Sequence, residues 1–237
     1  MMKSILENAG YRVGLIGTIE TIIGKEHYPS KNTTPESYVI QETFSKMVEE
    51  GCDFCVMEVS SQGLMMHRTD GIDFEIGIFM NLESDHIGPL EHSSFEDYAS
   101  AKGRLFKQCK LGIVNQDDEH WKMVLEGHTC RVETFGFDSS SNLYAHDVQL
   151  INNSGVLGVK YQVSGDLELE LEVDLPGKFS VYNSLAAVAV CHHFEVGKED
   201  IKRALKGAKV KGRIELVKIS DQFTVMIDYA HNAMSLE

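Results

Sequence analysis

The chain has 237 residues and a formal net charge of −14, from 22 Lys and Arg against 36 Asp and Glu. Its 43% hydrophobic and 24% charged residues exclude collagen-like, coiled-coil and wholly disordered classes. The acidic balance excludes a broad basic surface for nucleic acid, because duplex binding needs many phosphate-neutralising cations. No apolar stretch approaches the ~20 residues of a membrane-spanning helix, so we expect no membrane partner.

The first half of the chain alternates predicted helices and strands. Helices are predicted over 2–8, 35–50, 95–107 and 117–125, and strands over 11–17, 53–59, 75–82 and 111–115. The segment 18–35 contains Gly24, Pro29, Asn32 and Pro35, and is predicted to be a loop. This alternation predicts an α/β fold with a doubly wound, mostly parallel sheet.

Beyond about residue 130 short strands dominate. They are predicted over 131–137, 143–151, 157–163 and 167–173, before helices over 179–194 and 198–205 and a strand pair over 214–219 and 223–228. In 167–173 Leu or Val alternates strictly with Glu, which is typical of an antiparallel strand with one solvated face. We therefore expect a small antiparallel subsheet attached to the α/β domain.

The cysteines and the N-terminus favour a cytoplasmic, reduced protein. The chain starts without a secretory signal, and its cysteine count of five is odd. Cys52 and Cys55 have C-x-x-C spacing, but Cys55 lies in an apolar run that is predicted to be a buried strand. That position argues against a metal or redox pair, which would normally begin a helix.

Polar clusters follow two predicted strands, at the edge where doubly wound sheets bind ligands. Glu58 closes one strand and is followed by two serines. A strand-end carboxylate is a natural magnesium ligand, and a capped turn with a solvated Glu is an equally good interpretation. Asp85 and His86 follow the next strand and could bind a metal or exchange protons. Taken alone, that segment is better explained as an ordinary capping loop.

Other residues admit both a functional and a structural interpretation. Lys102 lies among small residues on a predicted helix, where a neutral amine could add CO₂ to form a carbamate. A solvated helix lysine is the favoured interpretation on chemistry alone. Arg213 precedes a strand pair that ends at Asp228, with His231 just beyond. These three could approach a nucleotide, or form a surface salt bridge and a turn.

Taken in order, these segments resemble the Mur ligases. The resemblance rests on Gly-Thr, Asn-Thr-Thr-Pro, Glu-Val-Ser-Ser-x-Gly-Leu, His-Arg, Asn-Leu-x-x-Asp-His, Tyr-x-x-Ala-Lys, Gly-Arg-x-Glu and Asp-Tyr-Ala-His. No one segment is decisive, but the ordered set is specific, and it is most similar to the members that add the third residue of the peptidoglycan stem peptide. The resemblance implies that ATP phosphorylates the carboxylate of a UDP-MurNAc-dipeptide. The amine of an amino acid, lysine or diaminopimelate, then attacks the acyl phosphate.

The resemblance also implies a role for each matching residue. The residues implied to be catalytic and to hold magnesium (Mg2+) are Glu58, His86 and Lys102, with Lys102 carrying a CO₂-derived carbamate. The residues that match contacts to the UDP-MurNAc-peptide are Thr33, Thr34, Ser60 and Arg68. On the ATP side, the resemblance implies an adenine contact at Asn183, a ribose contact at Arg213, and nucleotide-side positions at Asp228 and His231.

The chain departs from the family pattern in several places. Gln62 stands where His is commoner, Met66 where a substrate-contacting Gln is frequent, and Ser180 where Asn is frequent. The Gly-x-x-Gly-Lys-Thr phosphate loop is not found in the sequence. We therefore expect residues 1–232 to be a central ATP-binding domain without its phosphate loop, and 233–237 to begin a linker to a further domain. Such a chain is expected to be inactive as a ligase by itself.

Two alternatives stay open. One is a folylpolyglutamate synthase-like ligase, which shares the central-domain plan but is disfavoured by the Asn-Thr-Thr-Pro and Ser-Ser-x-Gly-Leu segments. The other is a non-catalytic binding module that keeps the fold but not the chemistry. The missing phosphate loop favours that module for this chain, whereas the retention of Glu58, His86 and Lys102 argues against it for a longer parent.

Overall fold

The computed structural model describes residues 1–84, 86–89, 91–153, 156–208, 215–217 and 225–227. Helices are Met2–Asn8 (α1), Ser37–Glu49 (α2), Ser61–Met65 (α3), Phe95–Gly103 (α4), Trp121–Val124 (α5), Lys178–His193 (α6) and Lys198–Lys206 (α7). Strands are Val13–Ile16 (β1), Glu20–Ile23 (β2), Glu26–Pro29 (β3), Phe54–Met57 (β4), Phe74–Phe79 (β5), Cys109–Asn115 (β6), Arg131–Gly136 (β7), Leu143–Asn153 (β8), Val156–Gly165 (β9), Leu169–Val173 (β10), Glu215–Val217 (β11) and Val225–Ile227 (β12). Within these residues, no helix has the length and apolar character to cross a membrane.

The strands form two main sheets. The larger has the order β10-β9-β8-β7-β6-β5, in which β5 to β8 run parallel and β8 to β10 antiparallel. The smaller has the order β3-β2-β1-β4, in which only the β1–β4 pair is parallel. The α/β prediction is confirmed, and the antiparallel strands prove to be continuous with the parallel ones.

Helices cover both faces of the larger sheet. Along β6, Leu111 and Ile113 pack into a large core with α1, α6 and α7, whereas Val114 packs into a second core with α4 and α5. A third and smaller core lies between the smaller sheet and α2, and its buried members are Ile16, Ile23, Ile40 and Met47. The doubly wound arrangement follows from this alternation, because successive strand residues point to opposite faces.

The predicted loop over 18–35 was wrong in part, because β2 and β3 form a hairpin there. Ile23 pairs with Glu26, so the turn consists of Gly24 and Lys25, and Gly24 has the positive φ of 58° that such two-residue turns require. β3 is exposed along its whole length, so it lacks the alternating apolar pattern that marks a strand. In the sequence, Gly24 was the one indication of this hairpin.

Two helices also differ from the prediction. α3 was not predicted, and it forms because the Ser60 hydroxyl accepts a hydrogen bond from the Gly63 N–H at 3.0 Å. The helix predicted over 117–125 is only the short α5. Instead of beginning a helix, the Asp117 carboxylate accepts a hydrogen bond from the Phe137 backbone N–H, and the Asp118 carboxylate accepts one from the Leu82 backbone N–H. The predicted C-terminal strand pair is confirmed as antiparallel β11 and β12.

Candidate active site

A polar cavity of about 380 Å³ lies where the loop before α2, the start of α3 and the segment 86–102 meet. Six of the residues predicted for the site line it: Thr33, Thr34, Ser60, Arg68, His86 and Lys102. They come from segments far apart in sequence, and the fold brings them to one place. The fold thus brings most of the magnesium-side and substrate-side candidates together, and their roles stay predictions.

Glu58 stands next to the cavity, at the carboxyl end of β4. Its backbone N–H donates to the Ile16 carbonyl at 2.8 Å, which extends the β1–β4 pairing by one residue. Its carboxylate accepts a hydrogen bond from the Thr18 backbone N–H at 2.9 Å and another from the Thr18 hydroxyl. A Cβ on Gly17 would lie 3.3 Å from a Glu58 carboxylate oxygen, so a side chain there would crowd this carboxylate.

Thr34 holds together the part of the cavity wall that lies next to Glu58. It is 1% exposed, its hydroxyl donates to the Glu58 carbonyl at 3.1 Å, and it accepts from the Ser60 N–H at 2.8 Å. Gly63 packs directly on it, since a Cβ there would lie 2.7 Å from the Thr34 Cβ. The hydroxyl of Thr34 is therefore engaged within the protein, and the hydroxyl of Thr33, 3.1 Å from that of Thr18, lies beside it.

Arg68 ties the loop before α2 to α3. One guanidinium nitrogen donates to the Thr34 carbonyl at 3.0 Å, and another lies 2.6 Å from a Glu36 carboxylate oxygen. Its Nε is buried and has no hydrogen-bond partner among the described residues. A buried guanidinium N–H without a partner is costly, so Arg68 keeps one unsatisfied donor among the described residues.

Lys102 and His86 meet at the ring of Tyr98. The Lys102 Nζ lies 5.1 Å from the centre of the Tyr98 ring, and the His86 ring lies 5.8 Å from it in an edge contact. Burial lowers the pKa of the Lys102 amine, an effect that the Asp118 carboxylate partly opposes. The His86 Nδ1 lies 3.2 Å from a Glu91 carboxylate oxygen. Desolvation thus favours the neutral amine, which is the form that reacts with CO₂.

The donor set is suited to a hard cation only when Lys102 is modified. In the part of the chain that the structure describes, no group of three or more His, Cys, Asp or Glu side chains is placed to hold a metal ion. Glu58 offers a carboxylate held by two donors, and His86 offers an imidazole. Magnesium prefers oxygen ligands, and a carbamate on Lys102 would add a second anionic oxygen group to this set.

The residues predicted for ATP lie apart from this cavity or outside the description. Asn183 is exposed on α6 and is not among the cavity's lining residues. Its neighbour Tyr182 donates to Asp117 at 2.8 Å. Arg213, Asp228 and His231 lie outside the described residues, as does Asp85.

Some cavity residues were missed by sequence reasoning. Tyr98 lies four positions before Lys102 on the same helix, so helical spacing could have identified it. Thr18 follows Gly17 within the Gly-Thr segment, yet its bonds to Glu58 join residues 40 positions apart. His92 carries no local signal, because its partner Ser61 is 31 residues away.

Comparison with known proteins identifies the class. The family model of the Mur ligase middle domain matches residues 1–191, and the chain therefore belongs to the Mur ligase family. Over 233 residues it is 41% identical to a UDP-N-acetylmuramoyl-L-alanyl-D-glutamate--2,6-diaminopimelate ligase of Caldanaerobacter subterraneus subsp. tengcongensis, covering 98% of this chain and 47% of that protein. It is 40% identical over 240 residues to ligase 1 of the same description from Clostridium acetobutylicum, covering 100% of this chain and 49% of the relative.

The fold agrees with this assignment. A solved UDP-N-acetylmuramoyl-L-alanyl-D-glutamate--2,6-diaminopimelate ligase superimposes with a TM-score of 0.79 at 24% identity, over 99% of this chain and 49% of that one. The chain thus spans about half the length of the relatives it matches. The family resemblance predicted from the ordered motifs is confirmed.

Proposed function

We propose that this chain is the ATP-binding middle domain of a ligase that joins the third amino acid to UDP-MurNAc-L-Ala-D-Glu. The observation that carries the proposal is the cavity, which collects Thr33, Thr34, Ser60, Arg68, His86 and Lys102. The two relatives at 40% identity or more are named for 2,6-diaminopimelate, which favours that amino acid over lysine. We place the domain at 1–232, with 233–237 leading into a linker. A cytoplasmic location stays a prediction.

In such a reaction we assign separate roles to the described residues. Thr18 orients the Glu58 carboxylate, and with His86 and a carbamate on Lys102 that carboxylate would hold magnesium. Bound magnesium supplies charge neutralisation for in-line phosphoryl transfer. Arg68 lines the cavity with Thr33 and Ser60, and we assign these three to the substrate side. On the nucleotide side we assign Asn183, Arg213, Asp228 and His231.

The carbamate forms on the chain itself. The neutral Lys102 amine attacks the carbon of CO₂, so that a C–N bond forms, one C=O π bond breaks with its electron pair moving to oxygen, and the proton lost from nitrogen goes to solvent. Burial promotes this step because it lowers the pKa of the amine. We expect a ¹³C carbamate signal when the chain is equilibrated with ¹³C-bicarbonate, and its loss in Lys102→Ala. Lys122→Ala is the matched control, since Lys122 is an exposed helix lysine that also lies over an aromatic ring.

The function is tested in a chimera. Because this chain aligns with 233 residues of the Caldanaerobacter relative at 41% identity, it can replace the matching half of that ligase. We expect phosphate release that requires both UDP-MurNAc-L-Ala-D-Glu and diaminopimelate, and a loss of at least about 100-fold in Lys102→Ala. A chimera that folds but turns over only folate with glutamate would favour the folylpolyglutamate synthase alternative. A folded chimera without turnover, beside an active parent, would favour a binding module.

The chain alone is expected to be inactive. No segment of its sequence supplies the Gly-x-x-Gly-Lys-Thr backbone donors and lysine that cradle the β- and γ-phosphates. Amino-acid-dependent phosphate release by the 237-residue chain would overturn this expectation. Such a result would show that phosphoryl transfer by this chain does not need that loop.

A further inference from the structure

Two backbone hydrogen bonds close the loop that carries His86. The His92 N–H donates to the His86 carbonyl at 3.1 Å, and the Gly88 N–H donates back to the His92 carbonyl at 3.1 Å. His86 has a φ of 58°, in the left-handed region that is unfavourable for residues with a side chain. Such a backbone persists only where its surroundings hold it, so the loop needs an anchor.

His92 has the properties of that anchor. Its side chain is 1% exposed, although it is polar and lies in a surface loop. Its Nε2 lies 2.9 Å from the Ser61 hydroxyl at the start of α3, and its ring lies 5.0 Å from the Tyr98 ring on α4. One side chain therefore joins the loop to two helices of the cavity wall.

The second ring nitrogen of His92, Nδ1, defines the orientation of the ring. Nδ1 is buried without a hydrogen-bond partner among the described residues, and a carboxylate oxygen of Asp97 lies 3.8 Å from it. That carboxylate favours a proton on Nδ1, which leaves the Nε2 lone pair to accept the Ser61 O–H. A ring rotated by 180° would place Cε1 where Nε2 now lies, and it would lose the bond to Ser61.

We propose that His92 is a positioning residue, which holds the 86–92 loop against Ser61 and Tyr98 and thereby keeps His86 at the cavity. The role of His86 as a metal ligand rests on the proposed function, whereas the anchoring of the loop does not. The experiment therefore measures the two separately, on the 237-residue chain.

Backbone hydrogen exchange tests the anchoring. His92→Phe keeps an aromatic ring but has no ring nitrogens, and Ser61→Ala removes the hydroxyl that bonds to Nε2. We expect each substitution to raise hydrogen exchange of the backbone amides at positions 92 and 88 at least about tenfold. Ser184→Ala is the matched control, because Ser184 is a buried serine bonded to an aromatic side chain, Tyr161, at 2.7 Å in the large core. It should leave exchange in the 86–92 loop unchanged. Unchanged loop exchange in both His92→Phe and Ser61→Ala would overturn the proposal.

Mn²⁺ binding tests the consequence for His86. The spectroscopic signature is ¹⁴N coupling from an imidazole in the spin-echo spectrum of added Mn²⁺, which His86→Ala should abolish. We expect His92→Phe to weaken Mn²⁺ affinity about tenfold and to diminish that coupling, as loss of a supporting residue does at metal sites. Coupling that is unchanged in His92→Phe but lost in His86→Ala would refute the positioning role. If His86→Ala changes nothing, the metal assignment of the proposed function fails, and hydrogen exchange alone decides the anchoring.

Discussion

Thr34→Val removes the hydroxyl that joins the loop before α2 to the segment between β4 and α3, and it preserves the side chain's shape. Two hydrogen bonds are lost, the one to the Glu58 carbonyl at 3.1 Å and the one from the Ser60 N–H at 2.8 Å. Each is worth about 1 kcal/mol net, and a buried group left without a partner costs more. We therefore expect a loss of about 2–3 kcal/mol, which for a chain of this length lowers the melting temperature by about 5–10 °C.

The assay is thermal and urea unfolding, with Thr43→Val as the control. Thr43 is also a buried threonine, at 8% exposure, but its hydroxyl donates to the Val39 carbonyl of its own helix at 2.7 Å. Because that bond is local and joins no separate elements, its loss should cost less than about 1 kcal/mol. Equal unfolding midpoints for Thr34→Val and Thr43→Val would refute the reasoning, since they would show that the bridge does not stabilise the fold.

Three further substitutions or treatments test packing and burial elsewhere in the fold. Gly103→Ala would place a Cβ 2.5 Å from a backbone carbonyl oxygen of α5, so urea unfolding should show a loss of about 1–3 kcal/mol; Gly207→Ala, with its closest neighbouring atom at 3.9 Å, should not. Tyr182→Phe removes a 2.8 Å bond to the Asp117 carboxylate and should cost about 1–2 kcal/mol in the same assay. Burial raises the pKa of the Cys191 thiol to about 12, so mass spectrometry after iodoacetamide at pH 8 should find it unmodified until the chain unfolds.

The sequence predicted the elements that carry strong periodicity and the motifs at their ends. Apolar runs predicted β4, β5 and β6, and the family resemblance singled out Glu58 and His86 just past two of them, in roles that stay predictions. The hairpin of β2 and β3 was missed because exposed strands lack an alternating pattern. His92 was missed for a different reason, since only the folded chain brings it to Ser61. Long-range polar contacts leave no trace in local spacing, and they define much of this cavity.

The cavity lies on a seam between cores of unequal size. The smaller sheet, next to Glu58 and Thr34, packs on the small core of Ile16, Ile23, Ile40 and Met47 and also, through Val13 and Phe54, on the large core, whereas Tyr98 belongs to a separate cluster around α4. The α2 side of that sheet has the fewest buried apolar residues to hold it, so it is expected to open locally before the chain unfolds globally. A ligand that contacts both walls of the cavity would oppose that opening, because it binds only where the walls are together. Ligand affinity and local stability are therefore coupled in this domain, and a substitution far from the cavity in the small core should weaken ligand binding.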